Sequence, residues 1–202
     1  MKIAVIGGSG FLGSVFCKIF ESEHEISIGD LKCPPNFVSK SKYINCNIED
    51  PESIDKVIKG NDYVFHFAGL SDLNKSLQNP KQTIILNILG TLNVLNSCRK
   101  NKVKKIVFSS SVYADSEKGS FYKCSKLAAE KYIEEFHKSY GLNYTILRFG
   151  SLYGPHSDNS NGLYNILNNV INSNQFIYQG NKASVREYLH IYDAAKACFS
   201  IL

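Results

Sequence analysis

No C-x-x-C pair, no apolar run long enough to cross a membrane, no long basic block and no internal repeat occur in this 202-residue chain. Each absence removes a class of protein. The six cysteines, Cys17, Cys33, Cys46, Cys98, Cys124 and Cys198, stand singly. That excludes a zinc knuckle or a dithiol redox centre and suits mostly buried thiols in a reducing, cytoplasmic setting. The N-terminus offers one lysine and then only "IAVI" before a cluster of glycines, too little for an export signal or a membrane anchor. Although the net charge is +5, the lysines alternate with glutamates and asparagines, the pattern of a solvated surface rather than of a nucleic-acid-binding stripe. His66 ends an expected strand and packs, His190 belongs to another, and neither has partners at ligand spacing, so no metal is expected.

What is present reads as one globular domain. With 44% hydrophobic and 12% aromatic residues, the chain can bury one sizeable core. Short apolar runs at "KIAVI", "HEISI", "KYINC", "DYVFHFA", "KKIVFSS" and "NYTILRF" predict strands. Most are separated by amphipathic stretches, clearest at Phe11 to Glu21, Pro51 to Lys59, Pro80 to Lys100 and Tyr122 to Tyr140. Strands alternating with helices imply an α/β fold, a doubly wound parallel sheet with helices on both faces. In the last helix Leu127, Ile133 and Phe136 can share an inward face. Proline, glycine and small polar residues break the pattern at "CPPN", "ADSEKGS" and "GPHSDNSNG", and only the last break is long enough to open a subdomain.

The first glycine cluster carries the most specific chemistry. In "GGSGFLG" the spacing Gly7-x-x-Gly10-x-x-Gly13 falls between an expected strand and an expected helix. There the first glycine can turn sharply, the second can let backbone approach a pyrophosphate and the third can let helix and strand pack closely, while the helix N-terminus offers free N–H groups. Asp30, at the end of the second strand, is placed to accept hydrogen bonds from an adenosine ribose and to repel a 2′-phosphate. NAD is thereby favoured over NADP, with Lys32 the feature pointing the other way.

Farther along, Tyr122 and Lys126 lie one helical turn apart on a common face. Bringing a phenol that titrates near 10 down by about three units needs roughly 4 kcal/mol of differential stabilisation, which a lysine and a bound nicotinamide cation could jointly supply. Tyr122 would then serve as a general base. The hydroxyl run at Ser109 to Ser111 follows a strand at its carboxyl end, where open α/β sheets hold ligands, and one of these hydroxyls could bond the oxygen that Tyr122 deprotonates.

Taken with "VFHFAGLSDLNKSLQNP", "NILGTLNVL", "IVFSSSVY", "YKCSK", "LRFGSLYGP" and "VREYLHIYDAAKA", the glycine turn gives seven ordered segments. Together they resemble the extended short-chain dehydrogenase/reductases, and among them the NAD-dependent sugar-nucleotide epimerases and dehydratases. The resemblance spans essentially the whole chain and implies a Rossmann domain over residues 1–202, within which 151–184 begins a small and incomplete substrate-binding subdomain. It implies Tyr122 and Lys126 as the catalytic pair, also in contact with the cofactor, and Ser109 as their hydroxyl partner with Ser110 a possible substitute. Gly7, Gly10, Phe11, Leu12 and Gly13 would lie along the cofactor phosphates, Asn47 and Ile48 near the adenine, and Phe67, Ala68 and Gly69 beside the ribose and phosphates. Asn87 would support the active site at the cofactor. Ser109, Ser110, Ser151 and Arg186 would meet the substrate, Arg186 gripping the diphosphate of a nucleotide sugar with its planar fork. Helices Pro80 to Lys100 and Tyr122 to Tyr140 resemble those that pair in a homodimer.

Departures from the family pattern bear on the reaction. Dehydratases of the family usually carry acids just after the catalytic hydroxyl, where this chain has Ser110 and Ser111, so an epimerase or a reductase reads better. Asn47 stands where aspartate is common, Ser151 where asparagine is, and Ala114 where glycine is. The chain also stops at Leu202, inside an expected helix, where family members continue. Either the sequence is a piece of a longer one or the pocket is reduced. The leading expectation is an NAD-dependent nucleotide-sugar epimerase; the alternatives are a reductase or dehydratase of the same fold and a non-catalytic NAD-binding protein.

Overall fold

A computed structural model describes residues 1–33, 41–176 and 185–202. β1 (Lys2–Ile6) is buried along nearly its whole length, and its side chains alternate between two cores: Ala4 and Ile6 into one, Ile3 and Val5 into the other. A strand covered on both faces has no reason to alternate apolar with polar, so "IAVI" is continuous. Around it β2 (Glu25–Asp30), β3 (Lys42–Asn45), β4 (Tyr63–His66), β5 (Lys105–Ser111) and β6 (Asn143–Phe149) form a parallel sheet of order β3-β2-β1-β4-β5-β6. The order reverses between β1 and β4, and the crevice at such a reversal is where sheets of this type take ligands.

Helices cover both faces. α1 (Phe11–Phe20) lies on one, with Phe16 fully buried and its ring tilted against that of Phe65 at 4.3 Å between ring centres. On the other, α2 (Pro51–Ile58) begins where the Asp50 side chain accepts a hydrogen bond from the Glu52 amide and proline occupies the first turn, a start the sequence announces. The expected helix from Pro80 to Lys100 is three pieces end to end. α4 (Pro80–Ile84) runs into a π-helical stretch, Ile85–Leu89, and then α5 (Gly90–Lys100). A short α3 (Leu73–Gln78), capped by Asp72, precedes them where no helix was expected. Six residues with little apolar periodicity leave no signal for one.

α6 (Ser120–Tyr140) begins two residues before the expected start and buries Ile133 and Phe136 as expected, with Leu127 half-buried. Its buried stripe also contains Lys126 and Glu130, which hydrophobic periodicity would assign to the outside. Beyond the main sheet, β7 (Ser151–Tyr153) pairs in parallel with β8 (Tyr188–His190). α7 (Gly162–Ser173) buries none of its residues, and α8 (Ile191–Ser200) packs on α1. The helix expected to contain Leu202 therefore ends at Ser200. β8 agrees with the strand expected at His190, whose ring accepts a hydrogen bond from the Tyr192 amide and caps α8. Residues 34–36 of the "CPPN" break and the end of the expected subdomain, 177–184, lie outside the described residues. Cys17, Cys46, Cys98 and Cys198 are buried, Cys33 and Cys124 exposed.

Candidate active site

The glycine turn is built as its spacing implies. Gly7 has φ +85°, and a Cβ there would come within 2.4 Å of the Ala68 amide nitrogen. One on Gly13 would meet the Gly7 carbonyl oxygen at 2.2 Å. The turn, the β4 exit and the start of α1 are thus pressed together at two points where any side chain would part them. No side chain caps the α1 N-terminus and no acid lies in its first turn, so its leading N–H groups and the positive end of the helix dipole remain to meet an anion.

Asp30 stands beside this turn. One carboxylate oxygen accepts from the Ser9 amide at 2.9 Å and the other from the Leu31 amide at 2.7 Å. The side chain is therefore both an anchor of the turn and an acceptor with lone pairs to spare at the cavity wall.

A cavity of about 960 Å³ joins these parts. Its lining includes Gly7, Gly10, Phe11, Leu12, Gly13, Asp30, Asn47, Ile48, Phe67, Ala68 and Gly69, and also Ser109, Ser110, Ser111, Tyr122 and Lys126. Sequence positions more than a hundred apart thus share one cleft along the carboxyl edge of the sheet. Asn47 accepts from the Glu49 amide, a local turn, and Ile48 is buried against Gly90. Three expected contacts lie off the lining. Asn87 is buried behind it, bonding both ways to the Leu70 backbone at 2.7 and 3.0 Å and donating to Ser125 Oγ at 2.9 Å. It is a strut between the loop after β4 and α6, a supporting place rather than a wall. Ser151 lies in β7, its amide bonded to the Glu187 carbonyl, and Arg186 is exposed ahead of β8.

Tyr122 and Lys126 sit side by side on α6, both buried. The Lys126 ammonium donates to the Ser109 carbonyl at 2.8 Å and lies 4.7 Å from the centre of the Phe108 ring. Burial drives its pKa down to about 8, opposed by Glu130 one turn along. The protein's own groups push the phenol up, without the nicotinamide charge that the expectation of a lowered pKa included. Burial raises it, a hydrogen bond with Ser111 works the other way and Tyr113 adds to the rise. A buried phenol loses the hydration of its anion, so the nearby ammonium alone does not make Tyr122 acidic.

The hydroxyls divide differently from the expectation. Ser109 Oγ donates to the His66 carbonyl at 3.2 Å and Ser110 Oγ donates to Glu130, while Ser111 Oγ accepts from the Tyr113 amide at 3.2 Å and is the hydroxyl that acts on the phenol. Alternation along β5 puts residues 109 and 111 on one side, the signal that could have marked Ser111 in advance. Also absent from the expectation are Ser71, His156, Asp158 and Asn161 in the cavity wall, since an irregular loop shows no periodicity to place them. Among the described residues no group of histidines, cysteines and acids could hold a metal ion, and no helix is long and apolar enough to cross a membrane.

An open parallel sheet with a glycine turn, an uncapped helix start and a carboxylate at the next strand end defines a dinucleotide-binding protein of the doubly wound class. The sequence profile of the NAD dependent epimerase/dehydratase family matches residues 3–202, and the chain belongs to that family. A UDP-glucose 4-epimerase of Halalkalibacterium halodurans is 28% identical, the match covering 98% of this chain and 69% of the relative. The dTDP-glucose 4,6-dehydratase of Mycobacterium tuberculosis is 25% identical over all of this chain and 69% of its own length. Among solved structures, the Thermus thermophilus UDP-glucose 4-epimerase in complex with NAD superposes with a TM-score of 0.87 at 27% identity, covering all of this chain and 74% of that one. The cofactor is NAD, and the turn, the helix start and Asp30 fit it.

Proposed function

We propose that the chain is an NAD-dependent nucleotide-sugar epimerase and that Tyr122 is its proton-transferring residue. The observation that carries this reading is the meeting of Tyr122, Lys126 and Ser111 in the same cleft as the glycine turn. When bound, NAD supplies a reversible hydride acceptor, so that a sugar carbinol can pass through a ketone and be reduced again on its other face. Tyr122 takes the hydroxyl proton and later returns it. Ser109 and Ser111 face the oxygen that changes charge, while Lys126 favours the anionic phenol. Because burial raises the phenol, Lys126 alone does not suffice. The nicotinamide cation is the additional charge expected to lower the Tyr122 pKa toward neutral pH.

Relatives carry both epimerase and dehydratase names. Epimerisation is favoured here because Ser110 and Ser111 follow Ser109 where a dehydratase would place acids. The carboxylate bonded to Ser110, that of Glu130, is itself held by Arg148. Residues 151–184 are proposed to begin the substrate-binding subdomain. Ser151 and Arg186 remain candidates for its nucleotide-sugar contacts. A homodimer is also proposed: α4 to α5 and α6 expose Ile84, Leu89, Tyr132 and Tyr140, apolar surface suited to a second copy.

The test is Tyr122→Phe. It should bind NAD as the parent does and turn over a UDP-hexose at least about a hundred-fold more slowly, the usual scale for losing a general acid–base. Undiminished turnover would refute the assignment. Bulk appearance or loss of NADH absorbance with the parent would favour a net dehydrogenase or reductase instead.

A further inference from the structure

Glu130 is 2% exposed, and both its oxygens are engaged. Oε1 accepts from Arg148 Nε at 3.0 Å and from the Ser110 hydroxyl, and Oε2 accepts from Arg148 Nη2 at 2.7 Å. The two partners are direct neighbours across β5 and β6, where Ser110 faces Arg148 in register. One carboxylate on α6 thus clamps the ends of two strands, and the β5 end holds the Ser109 carbonyl that accepts from Lys126. Glu130 is also four residues after Lys126, so the two side chains are neighbours on one face.

We propose that Glu130 is a positioning residue for the Tyr122–Lys126 pair: through Arg148 and Ser110 it holds α6 against the strand that carries Ser109 and Ser111, and its charge keeps Lys126 an ammonium in a buried place. The proposal rests on the reading of Lys126 as partner to Tyr122.

The surroundings make the charge consequential. Toward Lys126 face the Ser109 carbonyl and Phe108 ring of β5, His66 of β4 and Tyr122 and Glu130 of α6. Of these Glu130 is the anion. His66, driven down to about 3 by burial and then by Lys126, is neutral at working pH. Toward Glu130 face Arg148, Ser110 and Lys131, while Asp115 and Glu134 act on Arg148. Burial alone would raise the Glu130 carboxyl, but the bonds from Arg148 and Ser110 outweigh it and hold it below the usual range, so Glu130 is ionised whenever Lys126 titrates.

The experiment follows the Lys126 amine by NMR of the full chain labelled with [¹³C]lysine, its resonance assigned by loss in Lys126→Met. Glu130→Gln should lower the Lys126 midpoint by about one pH unit, the lower end of what a close opposite charge contributes. Arg148→Met, which breaks the same ion pair but frees the carboxylate charge, should raise it. A structural clamp alone would make the two variants alike. An unmoved or raised midpoint in Glu130→Gln overturns the proposal, as does an unmoved or lowered one in Arg148→Met, and the second variant decides if the first does not fold. The readout needs no turnover, so an inactive parent would sink the epimerase reading and leave this result standing.

Discussion

At the scale of single residues, burial governs the titrating groups of the site. His66 is fully buried at the end of β4, its Nε2 3.1 Å from Thr91 Oγ1 and its Nδ1 without a partner among the described residues. Its folded pKa, about 3, lies below the ordinary 6.5. The unfolded chain therefore binds the extra proton first as pH falls. Stability from the neutral ring is whole above the unfolded value and is lost as pH drops through the window toward the folded one, with a slope of at most about 1.4 kcal/mol per pH unit. Chemical unfolding from pH 7 to 4 should show this loss in the parent and a shallower slope in His66→Gln. Equal slopes would mean the ring is not buried neutral.

The elements carry a second lesson in the π-helical stretch. Asn87 sits within Ile85–Leu89, and widened turns of this kind often serve a site. Its amide replaces solvent for the Leu70 backbone, whose neighbours Ala68 and Gly69 form cavity wall. Asn87→Ala removes three hydrogen bonds and leaves buried polar groups unpaired, a loss of about 2–4 kcal/mol. Thermal unfolding should register that loss, and NAD titration should show weaker binding as the loop loosens. Unchanged affinity in a folded variant would limit Asn87 to a stabilising part.

Over the whole molecule, the first of the two helical bodies proposed to meet a second copy, α4 to α5, exposes Leu89 at 48% and Ile84 at 51% of their surfaces. Burying the exposed half of such side chains contributes about 1 kcal/mol each. Sedimentation should give a dimer for the parent and a monomer for Ile84→Glu/Leu89→Glu, with the folded spectrum kept; a parent monomeric at micromolar concentration would dispose of the interface.

The six strands and the four long helical segments were legible because their signals are local. Period-two or continuous apolar runs, a proline and an Asp cap at α2, and glycines in a fixed rhythm all act within a few residues of one another. Gly7, Gly13, Asp30, Tyr122 and Lys126 were legible for the same reason, each belonging to a short spacing with a chemical meaning. What needed the folded chain was whatever depends on partners far away in sequence. The approach of Ser111 to Tyr122, the burial of Lys126 and Glu130 on a helix face and the raised phenol arise where β5, β6 and α6 converge, and the strut made by Asn87 where the loop after β4 meets α6. A sequence states which charges exist, but only packing decides which of them lose water, and desolvation sets their acidity.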